Sequence, residues 1–206
     1  MSEESFSYPE PEIRYQILVD ICDITADIYF GALEELRKSG LEWTVFHNGI
    51  FLGYFGTPDM KPHLKPIVFA IDTENKVAGI PGDGSAPVTF TYTFDLAKFV
   101  VAALDLERWE EGSCVVGNEL TFNEFVVLAQ EARGSKFEVH YDDIETLERF
   151  EVTELPGHKA IYERFPKKPF QWFISHIPRA GSLNERLPHL KPLTVKEMLN
   201  RCWKNE

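Results

Sequence analysis

Between Leu41 and Glu145 the chain alternates short β-rich stretches with helical patterns. That alternation restricts it to a mixed α/β architecture. LEWTVF (41–46) reads as a strand, Ile67–Ile71 as another, and VTFTYTF (88–94) alternates apolar and polar positions as strands do. From Asp95, DLAKFVVAALDL is a helix with an acidic start, and Ser113–Val116 is a strand closed by Gly117 and Asn118. Thr121–Glu124, Asp142–Glu145 and Thr194–Glu197 each carry the capping-box pattern, in which an oxygen side chain and an acid three residues later satisfy free N–H groups at a helix start. Upstream, Ile13, Ile17, Ile21, Ile24 and Ile28 form a helical stripe, and a second helical stretch over 31–39 stops at Gly40. Residues 1–11 read as a flexible acidic lead. Residues 49–66, punctuated by Pro58, Pro62 and Pro66, and 79–87 (GIPGDGSAP) read as loops. The segment 151–193 is rich in Pro, His and aromatics and has no clear period.

Charge narrows the function. The 206 residues carry a formal charge of −12, which disfavours wrapping nucleic acid or an anionic membrane. The distribution is uneven: seven acids and one base in 1–30, 22 acids and ten bases in 31–156, and four acids and ten bases in 157–206. The basic tail reads as a solvated face, ahead of a contact with an acidic surface of the same chain or a place near an anionic ligand such as a cofactor phosphate. No apolar run approaches the roughly 18 residues of a membrane span, and MSEESFSYPEPE at the start has no signal-peptide character. Cys22, Cys114 and Cys202 are far apart and form no C-x-x-C, so they read as reduced thiols of a cytoplasmic protein.

Chains of this class often bind nucleotides through glycines at the first strand–helix turn, where backbone must approach a pyrophosphate. The first glycine here is Gly31, so no fingerprint precedes it. Gly49, Gly53 and Gly56 imitate one, but Ile50, Phe51, Leu52, Tyr54 and Phe55 fill the gaps and prolines follow where a helix is needed. They read as an apolar pocket wall or core loop. Gly79, Gly82 and Gly84 lack a following G-K-[ST] and read as a turn with positive φ angles. There is no G-x-S-x-G, no tyrosine has a lysine four residues on, and no two histidines stand four apart. His140, Tyr141, Asp142 and Asp143 bring ligand types together, but a helix cap explains the acids, and no metal site is expected.

Three stretches, LEELRKSGLEWTVFHNGIFLGYFG (33–56), the run from Ile80 to Gly134, and LNERLPHLKPLTVKEMLNRCW (183–203), resemble the NmrA-like family of atypical short-chain dehydrogenases, which includes the isoflavone reductase-like enzymes, and its fungal members in particular. The likeness runs from about residue 31 to the end. It implies an NAD(P)-binding Rossmann-like α/β fold whose C-terminal half forms the substrate pocket. It also implies NADPH-dependent reduction of small, often aromatic, molecules; some family members bind dinucleotide as redox-sensing regulators instead. The loop after the strand ending at Phe46 would lie beside nicotinamide and substrate. That places Asn48, Gly49 and Ile50 on the cofactor side and His47, Phe51, Tyr54 and Phe55 on the substrate side.

The departures are as informative. The family's first strand and its G-x-x-G-x-x-G turn have no counterpart here, and the position of the reductases' lysine falls at about Tyr29. The fold expected is therefore an incomplete Rossmann-like one lacking the N-terminal glycine-rich βαβ unit. Residues 1–30 would be an atypical N-terminal segment and 31–206 the substrate-side α/β region. The function expected is that of a truncated NAD(P)-dependent oxidoreductase with weak or no activity, no catalytic residue being assigned. NADP(H) is the family's cofactor. The alternative is a non-catalytic module that senses a dinucleotide or another small molecule. Missing strands would leave an unpaired sheet edge open to a second copy or a partner protein.

Overall fold

The computed structural model describes residues 25–57, 60, 64, 67–149, 151–163 and 183–204. The chain divides into two compact units, Met1–Trp43 and Thr44–Glu206. In the first, α1 spans Thr25–Lys38 and carries Arg37 and Lys38 in its last turn, where cations meet the negative end of the helix dipole. Gly40 follows with φ 69°, the left-handed stop its position suggested. The isoleucine stripe before residue 25 and the acidic lead lie outside the described residues. The boundary drawn at residue 30 falls inside α1.

Among its described residues the second unit holds three small sheets. β1 (Val45–His47) pairs in parallel with β6 (Gly112–Cys114). β2 (Ile50–Phe51) runs parallel to β5 (Pro87–Thr91), whose other edge pairs antiparallel with β7 (Asn118–Thr121). β4 (Val77–Pro81) lies between β3 (Ile71–Asp72), antiparallel, and β8 (Glu138–Asp142), parallel. The helices are α2 (Thr93–Ala103), α3 (Phe122–Arg133), α4 (Ile144–Glu148), α5 (His158–Tyr162), α6 (Leu183–Arg186) and α7 (Val195–Trp203).

An aromatic core holds β2, β5, α3 and α7 together. The Phe55 ring lies 4.7 Å from Phe125 and 5.8 Å from Phe90, with Phe90 5.0 Å from Phe125. Each such burial is worth roughly 1.5–3 kcal/mol. The Trp203 indole donates to the Phe55 carbonyl at 2.9 Å, and the Arg133 guanidinium sits 4.7 Å above its ring. A second, smaller core forms where Phe99 and Ala103 of α2 meet Val115, Leu183 and Leu187.

Several expectations need correction. The run 79–87 is not one loop: Val77–Pro81 is the central strand of its sheet, with Ala78 and Ile80 fully buried. Gly79 is there because a Cβ would come within 2.9 Å of the Thr153 side chain, a constraint invisible locally. Gly82 and Gly84 do make the positive-φ turn that follows. Strand β5 ends at Thr91 because Thr93 already belongs to α2, so the alternation through Phe94 overruns. β1 starts only at Val45, the strand expected at 67–71 is reduced to Ile71–Asp72, and β6 ends at Cys114. The stretch 49–66 holds β2 and a 3-10 turn over Leu52–Phe55; much of its remainder lies outside the described residues. β7 and β8 were not foreseen. Of the three capping boxes, Thr121–Glu124 and Thr194–Glu197 form with both reciprocal bonds. The third cap is Asp143, which accepts from the Thr146 N–H. Asp142 is buried instead, accepting from Thr153 N–H at 2.9 Å and its hydroxyl at 2.7 Å.

Candidate functional site

The chain from Val45 to Phe51 changes partner halfway. Its first part pairs with β6 and its second with β5, and Asn48 and Gly49 make the crossing. In open parallel α/β sheets ligands bind outside the carboxyl ends of the strands. Here those ends are His47 and Cys114 on one side and Phe51 and Thr91 on the other, each a register pair.

Both sides of the crossing are fixed by backbone packing. Gly49 has φ 67°, and a Cβ on it would collide with the Thr89 carbonyl. Gly117 abuts the same strand, its Cβ position 2.5 Å from the Phe90 carbonyl oxygen. Two glycines therefore grip β5 from opposite sides. The turn Val115–Gly117 faces the crossing, and Val115 N–H donates to the His47 carbonyl at 2.8 Å. Outside the ladder, this turn needs side chains to satisfy its peptides. Thr91 Oγ1 donates to the Val115 carbonyl and accepts from Gly117 N–H, both at 3.1 Å. The Asn184 carboxamide accepts from Val116 N–H at 2.8 Å and donates to its carbonyl at 2.7 Å. Asp95, 4% exposed, accepts from Leu193 N–H at 2.7 Å and pairs with Lys98 at 2.7 Å, which seats the segment leading into α7.

The seven residues singled out in the sequence fall into two groups. His47, Asn48, Gly49, Phe51 and Tyr54 are half-buried around the crossing, with the Asn48 amide donating to the Gly49 carbonyl at 3.1 Å. Ile50 and Phe55 are 3% exposed and face the aromatic core. The Tyr54 ring stands edge-on to Phe51 at 6.1 Å and to Phe69 at 5.0 Å. Burial raises the Tyr54 hydroxyl above its ordinary value, and burial followed by the nearby Asp95 does the same for Tyr92. Both phenols stay protonated near neutrality and can donate hydrogen bonds, but neither is a ready base. Tyr92 packs 5.3 Å from Phe94 at the start of α2. Sequence reading missed Thr91, Tyr92 and Asn184. Asp95 was seen only as a helix-start acid.

A surface depression of about 680 Å³ lies elsewhere, lined by Leu155, His158, Lys159 and Tyr162. Among the described residues no three His, Cys, Asp or Glu side chains converge on a metal position, and no helix is long and apolar enough to cross a membrane.

The glycines also test whether a dinucleotide's phosphates fit. Gly49 is filled by Thr89, Gly56 by Met60, Gly79 by Thr153 and Gly84 by Asn123. These four are explained by internal packing, whereas Gly82 stands over open space.

No protein-family model matches the chain. It is 27% identical over 197 residues to Oxidoreductase swnN of Metarhizium robertsii, covering 88% of this chain and 58% of that protein. It is 31% identical over 167 residues to Oxidoreductase BOA1 of Botryotinia fuckeliana, covering 78% and 54%. Among solved structures it superposes on isoflavone reductase with a TM-score of 0.59 at 16% identity, over 88% of this chain and 60% of that one. A leucoanthocyanidin reductase–NADPH complex from Vitis vinifera gives 0.59 at 15%, over 84% and 58%. The chain is thus similar to proteins named oxidoreductases and shares the fold of isoflavone reductase and leucoanthocyanidin reductase. It spans little more than half the length of these relatives.

Proposed function

We propose that the chain forms the substrate-side part of an NAD(P)H-dependent oxidoreductase of the NmrA-like type, and that the crevice at the β1–β2 crossing receives a small, often aromatic, molecule. The observation that carries this reading is the change of partner at Asn48–Gly49, which gathers His47, Phe51, Tyr54 and Tyr92 at carboxyl strand ends. In this reading Asn48, Gly49 and Ile50 face the nicotinamide side through their backbone, and His47, Phe51 and Tyr54 the substrate. Phe55 supports that wall from the core. Packing at Gly49, Gly56, Gly79 and Gly84 leaves the phosphates no cradle at those positions, and these 206 residues are expected to be weak or inactive.

NADPH titration followed by tryptophan fluorescence, with its consumption measured in the presence of small aromatic ketones, tests the reading. Affinity no better than millimolar and no turnover is expected; micromolar affinity with turnover would refute the missing phosphate grip. A second reading, a binding module that senses a small molecule without transforming it, draws on the same lack of a cradle. Ligand binding to the crevice with no cofactor present would favour it.

A further inference from the structure

The turn Val115–Gly117 joins β6 to β7 and belongs to neither strand. Past the end of β6, Val115 N–H still donates to the His47 carbonyl at 2.8 Å. Two side chains then take over. Thr91 Oγ1 of β5 spans the turn, donating to the Val115 carbonyl and accepting from Gly117 N–H, both at 3.1 Å. Asn184 Oδ1 accepts from Val116 N–H at 2.8 Å, and its Nδ2 donates to the carbonyl of the same residue at 2.7 Å. A carboxamide carries a donor and an acceptor side by side. Asn184 thus exchanges two bonds with one residue, as a facing residue does in an antiparallel ladder.

Asn184 lies 68 residues along the chain from Val116 and is itself anchored. Its helix α6 packs Leu183 and, just beyond its end, Leu187 against Phe99, Ala103 and the fully buried Val115. Arg186 adds a bond to the Arg108 carbonyl at 2.7 Å. The cluster that seats Asn184 therefore also takes the side chain of the turn's first residue.

We propose that Asn184 is a positioning residue for the crossing: its carboxamide supplies the sheet neighbour that Val116 lacks, and so sets where Val115–Gly117 stands against His47, Asn48 and Gly49. Val116 is half-buried, so removing the carboxamide leaves its N–H and carbonyl to turn toward water, since leaving them unbonded is costly. Val115 is the adjoining residue, and a turning Val116 draws it away from the His47 carbonyl. That the crossing receives a ligand rests on the reading above; the clamp on the turn does not.

NMR of the 206-residue protein tests this in wild type and Asn184→Leu. Leucine has the same branched shape but carries no donor or acceptor. The readout is the scalar coupling across the Val115 N–H to His47 carbonyl bond, which Asn184 does not touch and which a mere loss of stability leaves in place. Wild type should show the coupling; the variant should lose it, with the Asn48 and Gly49 amide signals displaced. A variant that keeps the coupling, with only the Val116 signal moved, overturns the proposal. Should the variant not fold, wild type must show coupling from the Val116 amide nitrogen to the Asn184 side-chain carbonyl carbon; its absence overturns the clamp. NADPH titration of both proteins separates the clamp from the ligand reading. If wild type binds at the crossing, the variant should bind roughly two- to tenfold more weakly, and equal affinity would overturn the positioning role. If wild type does not bind there, the ligand reading fails, and the coupling alone decides the clamp.

Discussion

Gly49 shows how much one position can carry. Its φ of 67° and its seat on the Thr89 carbonyl both demand a residue without a Cβ. Gly49→Ala should cost at least about 1–2 kcal/mol from the left-handed backbone alone, and more from the contact with β5. Chemical denaturation should show a lower midpoint with an unchanged slope; wild-type stability in this variant would contradict the packing described. Gly82→Ala, with open space at its Cβ position, should show only the backbone penalty. The sequence made Gly82 and Gly84 recognisable as turn residues, since turn chemistry is local. It concealed Gly79, whose reason is Thr153, and it hid the role of Asn184, which reaches back to Val116. Such residues are legible only once the chain has folded back on itself.

Helix starts were the most readable elements because their determinants lie within four residues. The Thr194–Glu197 box closes α7, which buries Met198, Leu199, Cys202 and Trp203 against the core. Thr194→Ala should remove about 1 kcal/mol and lower the melting temperature by roughly 2–4 °C. Circular dichroism would show it, and an unchanged melt would mean that α7 is held by packing alone. The same local logic misplaced the cap of α4 by one residue, because Asp142 and Asp143 are chemically alike and only burial separates them. Short strands were harder. β3 and β2 are two residues each, too short for alternation to register, and β4 reads as a glycine-rich loop because its sheet neighbours lie far along the chain.

The α/β class was legible throughout from alternation, and the resemblance to the NmrA-like family made the loop after Phe46 a candidate ligand site. What sequence could not supply was the geometry of that loop, namely the change of partner from β6 to β5 and the turn Val115–Gly117 set against it. Those features arise from pairings between distant segments. They also separate two roles that sequence had merged, leaving His47, Asn48, Gly49, Phe51 and Tyr54 at the crossing while Ile50 and Phe55 serve the core. The most direct test is a ¹H–¹⁵N NMR titration of the 206-residue protein with NADPH. The crevice at the crossing predicts weak, saturable amide shifts confined to His47–Leu52, Thr91–Phe94 and Cys114–Gly117. Shifts centred on another surface would contradict it.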